Sequence, residues 1–93
     1  MKAALLILPR AEADLLEVYG QDLNHVIDTF EFLCEFPRGA QTAGFEEAPE
    51  VRRAVSGSWL IYYRFLADSH EVLIYTVRHG RRNPPDLSDI LPR

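Results

Sequence analysis

The chain has 93 residues, 47% apolar and 26% charged, an ordinary folded-protein composition that is too short for two separate cores, so one domain spanning 1–93 is expected. A single cysteine, Cys34, excludes a disulfide framework or a cysteine-built zinc cluster and points to a reducing, cytoplasmic setting. The net charge of −4 is split unevenly. Residues 1–50 carry three basic and ten acidic side chains, a net of −7, whereas residues 51–93 carry seven and four, a net of +3.

Lys2 followed by Ala3–Leu8 imitates a secretory leader, but Pro9-Arg10 ends the run before the roughly 7–15 residues of a leader core. No stretch approaches the ~20 apolar residues of a membrane span. Ala3–Leu8 therefore reads as a buried strand. Pro9 suits a first helical turn. Leu15, Tyr19, Leu23, Val26, Ile27, Phe30 and Leu33 recur at steps of three and four, an apolar helical stripe. Gly20-Gln21-Asp22 interrupts it. Gly20 closing one helix and Asp22 capping the next give a short helical hairpin. The stripe keeps its phase across Gly20, so one long helix is the alternative. Phe36-Pro37-Arg38-Gly39 stops the helix, and 38–50 is a loop.

The remainder reads as sheet: a strand at Val51–Val55, a turn at Ser56-Gly57-Ser58, and a strand at Trp59–Leu66. A turn at 67–70 then leads to a strand at Glu71–His79. Asp86–Leu91 reads as a short terminal helix. The expected class is α+β: an N-terminal strand, the helical hairpin or long helix, a three-stranded antiparallel sheet and a short C-terminal tail or helix.

Pairing Leu66 with Glu71 puts Trp59, Ile61, Tyr63, Phe65, Val72, Ile74 and Thr76 on one face. Leu60, Tyr62, Leu66, Leu73, Tyr75 and Val77 fall on the other. One helical layer covers one face, so another chain is expected over part of the second. The alternative is that the long loop and the tail cover it.

Little familiar chemistry is present. There is no glycine-rich phosphate cradle and no Gly-x-Ser-x-Gly elbow. His25, His70 and His79 lack metal-ligand spacing, so neither metal nor cofactor is expected. Cys34 lies among Phe32, Leu33 and Phe36, as a core residue does. Glu46, Glu47 and Glu50 read as a solvated acidic loop. The segment that stands out is Arg78-His79-Gly80-Arg81-Arg82-Asn83-Pro84-Pro85, a basic strand end suited to phosphate or carboxylate. Arg52, Arg53 and Arg64 on neighbouring strands extend it.

Four blocks resemble the RelE/ParE toxin superfamily in order and spacing. They are Leu8-Pro9-Arg10-Ala11-Glu12-Ala13-Asp14-Leu15-Leu16-Glu17; Phe30-Glu31-Phe32-Leu33-Cys34-Glu35-Phe36-Pro37; Val51-Arg52-Arg53-Ala54-Val55-Ser56-Gly57-Ser58-Trp59-Leu60-Ile61-Tyr62-Tyr63-Arg64; and Val77-Arg78-His79-Gly80-Arg81-Arg82. The stretch between the first two is shorter than the family pattern. The resemblance implies the toxin of a type II toxin–antitoxin system, neutralised by a cognate antitoxin. It also implies one of two activities: inhibition of DNA gyrase, as in ParE-like members, or ribosome-dependent mRNA cleavage, as in RelE-like members. Of the positions used in cleavage, Arg53 and Arg82 match, while Val51, Leu60 and Ser88 do not. Together with the acidic net charge, this favours a ParE-like inhibitor over an enzyme. The expected target contacts are Arg78, Arg81 and Arg82, with His79, Arg64 and Arg53. The expected antitoxin contacts are Leu15, Tyr19, Trp59, Tyr62 and Tyr75. A harmless antitoxin-binding or self-associating module, or a homodimer, is the remaining alternative.

Overall fold

The computed structural model describes residues 2–82, 85, 86 and 88. The elements run β1 (Ala4–Ile7), α1 (Pro9–Leu15), α2 (Gly20–Glu35), β2 (Gln41–Thr42), β3 (Arg52–Ser56), β4 (Trp59–Leu66) and β5 (Glu71–His79). The five strands form one sheet in the order β1-β5-β4-β3-β2. β1 runs parallel to β5 and every other pair is antiparallel. The class is α+β, as expected, with a mixed sheet in place of a purely antiparallel one. The terminal helix read at 86–91 lies outside the described residues except for Asp86 and Ser88.

A seven-residue helix is unstable by itself, and packing holds α1. Its Ala11 and Asp14 are buried. α1 and α2 form the hairpin, but Gly20 does not close α1. The chain leaves α1 through three tight turns, with Leu16, Glu17 and Val18 donating to the carbonyls of Ala13, Asp14 and Leu15 at 3.2, 3.0 and 3.1 Å. These turns drive Val18 into the core and swing Tyr19 out, to 3% and 76% exposure. Gly20 then opens α2 at φ +58°, and Tyr19, not Asp22, holds the cap position. The apolar stripe therefore breaks phase at Gly20, and within α2 it buries Val26, Phe30, Leu33 and Cys34.

That stripe packs on Ala54, Ile61, Tyr63, Val72, Ile74 and Val77 of the sheet. Val77 was expected on the opposite face. A bulge corrects this: Tyr62 pairs with Thr76 but Tyr63 pairs with Ile74, which leaves Tyr75 as the extra residue of β5. One extra residue reverses the alternation beyond it.

The second face is covered by the chain itself at its centre, against the expectation of a partner there. Ala48 and Val51 bury Tyr62 and Tyr75, with Ala43 and Phe45 packed alongside. Backbone bonds pin the loop: Ala43 N–H donates to Val51 at 2.9 Å, and β2 pairs with Arg52 and Arg53. Side chains add two anchors, the Tyr63 hydroxyl to the Pro37 carbonyl at 2.8 Å and the Arg52 guanidinium to the Ala40 carbonyl at 2.6 Å.

Candidate functional site

The register of β3, β4 and β5 gathers the basic residues. Arg53 faces Tyr62, and Leu60 faces Arg78, so all four project from the face opposite the helices. The exit from β5 adds a third arginine. Gly80 N–H donates to the Ser58 carbonyl at 2.7 Å and Arg82 N–H to the His79 carbonyl at 3.0 Å, folding the chain back over the β3–β4 hairpin. Gly80 makes a close approach there, since a Cβ would meet the Ser58 oxygen at 3.2 Å. The result is a cleft of about 240 Å³ lined by Arg53, Arg78, His79 and Arg82, with Leu60, Tyr62, Gly80 and Pro85 as its walls. Among the described residues no carboxylate lines it, so the electrostatics suit an anion that accepts paired N–H bonds, such as a phosphate or an acidic side chain.

The His79 side chain is fixed at the edge of this site, on the strand face opposite Arg78. Its Nδ1 accepts the Arg81 backbone N–H at 3.2 Å, so in the neutral ring the proton sits on Nε2. Its ring meets Trp59 edge-on, with centroids 5.2 Å apart. The Trp59 indole N–H in turn donates to Asp22 Oδ2 at 3.2 Å, tying the basic end to the start of α2.

Four of the six expected target contacts therefore meet in one cleft: Arg53, Arg78, His79 and Arg82. Arg81 is exposed beside it and contributes its backbone N–H. Arg64 is drawn away. Its guanidinium lies 3.7 Å from Glu50 and sits near enough to the Tyr75 hydroxyl to favour its ionised form. The walls Leu60 and Tyr62 were not read as part of this site, although the two-residue Gly57-Ser58 turn fixes the pairing that brings Tyr62 to Arg53.

The expected antitoxin contacts divide. Tyr62 and Tyr75 lie beneath the chain's own loop, and Leu15 is half-buried against the main core. Trp59 is half-buried beside His79, and Tyr19 stands exposed. Burial pushes the Tyr75 hydroxyl above its ordinary range, partly offset by Arg64. Burial likewise pushes the Cys34 thiol up, which fits a core residue and not a nucleophile. Val51 is fully buried under the loop. Among the described residues, no cluster of His, Cys, Asp and Glu could hold a metal, and no helix is long and apolar enough to cross a membrane.

A larger open groove of about 610 Å³ runs between α2 and β3, past Phe32 and Val55. Arg53 also lies on its lining.

The family model described as the ParE toxin of type II toxin-antitoxin system, parDE, matches residues 5–84. No curated protein is significantly similar in sequence. Among solved structures, the chain is similar to the Mycobacterium tuberculosis RelBE2 toxin–antitoxin complex, at 22% identity and TM-score 0.75 over 85% of this chain and 99% of that one. It is also similar to the intact Escherichia coli RelBE complex, at 15% identity and TM-score 0.72 over 86% and 99%. The Pyrococcus horikoshii RelE–RelB complex matches at 13% identity and TM-score 0.69 over 89% and 100%. At these identities the likeness is one of fold.

Proposed function

This chain belongs to the ParE toxin family of type II toxin–antitoxin systems, and we propose that it inhibits DNA gyrase through its basic cleft and is neutralised by a cognate antitoxin. The observation that carries this reading is the cleft itself. It gathers three arginines around a space sized for an anionic group, whereas the His79 ring, on the strand face opposite Arg78, packs on Trp59 with Nδ1 engaged by a backbone N–H. Such a site holds an anion well and shuttles protons poorly. The anion in this reading is a carboxylate of gyrase or a phosphate of its bound DNA. For the antitoxin, exposed apolar side chains are offered by Leu16 and Tyr19 at the α1–α2 corner and by Phe32, Phe36 and Val55 near the α2–β3 groove.

The test is a supercoiling and cleavage-complex assay with purified wild-type and Arg53→Ala/Arg82→Ala protein. Loss of one charge-assisted contact costs about 1.5–3 kcal/mol, roughly tenfold or more in affinity. The double variant should therefore inhibit about a hundredfold more weakly while keeping its circular dichroism spectrum. A folded wild-type protein without effect on gyrase would end the proposal.

A second reading is favoured by one observation: Arg53 and Arg82, the two positions that match the mRNA-cleaving branch, line the same cleft. Primer extension after induction distinguishes them, since codon-linked cuts in transcripts support cleavage and intact transcripts support gyrase.

A further inference from the structure

The bulge in β5 leaves a backbone group to be satisfied. Past Tyr75, Val77 pairs with Ile61 of β4, but its N–H does not serve that pair. β1 lies on the other side of β5, and its last paired residue, Ile7, faces Ile74. There the chain departs into α1, so no strand continues alongside Val77. A carboxylate takes the strand's place. Asp14 Oδ2 accepts the Val77 N–H at 3.1 Å and the Thr76 hydroxyl at 2.5 Å. Asp14 Oδ1 lies 3.6 Å from Arg10 Nε, one helical turn back. Asp14 is 9% exposed, and a carboxylate that deep is tolerated only when fully partnered.

We infer that Asp14 is a positioning residue for the basic cleft. By accepting from two successive residues, one oxygen locks the bulge at Tyr75 and with it the rotation of the last turns of β5. Val77 is thereby held towards the helices, which turns Arg78 towards the cleft beside Leu60. Without the clasp, the bulge is free to relax by one residue, and a one-residue slip reverses the side on which every later side chain projects. Arg78 and His79 would exchange faces, and the cleft would lose one of its three arginines. The same clasp attaches α1 to the sheet, so helix position and cleft geometry are coupled through a single side chain. The inference concerns the geometry of the cleft and is independent of what the cleft binds.

The experiment compares Asp14→Ala, Asp14→Asn, Thr76→Val and Ala13→Gly in the full chain by ¹H–¹⁵N spectroscopy and amide exchange, with inorganic pyrophosphate as the cleft probe. Ala13 is exposed on the same helix, so its glycine variant destabilises α1 without touching the clasp. Asp14→Ala should speed exchange at Val77 about tenfold beyond the Ala13→Gly control, shift the Arg78 side-chain and His79 ring signals, and weaken pyrophosphate about tenfold. Asp14→Asn, which keeps the accepting oxygen, should stay near wild type. Thr76→Val, isosteric and lacking the hydroxyl, should move the Arg78 and His79 signals in the same direction if Asp14→Ala fails to fold. Unmoved signals in folded Thr76→Val or Asp14→Ala would overturn the assignment. So would an equal shift in Ala13→Gly.

Discussion

Arg64 separates a structural role from a role in target contact, and replacing it with alanine makes the distinction measurable. Its side chain is 40% exposed and lies 3.7 Å from a Glu50 carboxylate that is 41% exposed. Solvent screens a pair of this exposure to about 0–1 kcal/mol. Removing the guanidinium beside the covered Tyr75 hydroxyl adds about 1 kcal/mol, the usual cost of a lost polar partner in such a site. The expected loss for Arg64→Ala is about 1–2 kcal/mol, which lowers Tm by roughly 5–15 °C in a domain of this size. Inhibition by the variant at 25 °C, well below its melting point, should match wild type. Arg82→Ala should behave in the opposite way, with Tm unchanged within about 2 °C, as for an ordinary surface substitution, and inhibition reduced. Thermal melts by circular dichroism and supercoiling titrations on the same samples read both. The reasoning is refuted if Arg64→Ala loses inhibition with its Tm intact.

Two further outcomes follow from buried or strained positions. Burial raises the Tyr63 hydroxyl above its ordinary value of 10.0, and Tyr75 moves the same way. The folded state thus favours the protonated phenols, a stabilisation fully present below pH 10 and lost as pH rises through the raised folded values. Urea midpoints of the wild type should fall above pH 10. Tyr63→Phe, which loses the bond to Pro37, should start about 1 kcal/mol lower at neutral pH and fall less steeply in alkali; equal alkaline slopes would contradict this. Gly20 sits at φ +58° with open space where a Cβ would be, so Gly20→Ala should cost about 1–2 kcal/mol from backbone strain alone. Gly20→Asn should cost less, and the two melting points compared side by side check the order.

The longest strands were legible because their signals were local. Trp59–Leu66 and Glu71–His79 are aromatic and β-branched runs on either side of a polar turn, and both have the expected bounds. The helix pair was legible from Pro9 and the apolar spacing, but its junction was not. Three tight turns after Leu15 cost the stripe its phase, so Val18 took the buried place that spacing assigned to Tyr19. The two-residue β2 carries no periodicity to read. The parallel pairing of β1 with β5 joins residues more than sixty apart, and alternation within either strand says nothing about which neighbour it takes.

The site was legible as a set of charges and not as a geometry. Arg53 is far in the chain from Arg78 and Arg82, and only cross-strand register brings it to their cleft. The sequence reading counted Arg64 with them because it lies on a neighbouring strand. The loop carrying Glu50 then folded over that part of the sheet and claimed it. The same loop explains why an apolar second face did not require a partner at its centre: Phe45, Ala48 and Val51 supply the cover that a single helical layer cannot. The loop ends short of the basic end, however. Among the described residues, that end of the face is lined by arginines and not by apolar side chains, so a partner docking there meets charge first. Salt follows from that geometry, because exposed arginine contacts weaken as the Debye length shortens. Inhibition that depends on the cleft should fall steeply with ionic strength, whereas antitoxin binding through Tyr19, Leu16 and the α2–β3 groove should barely change.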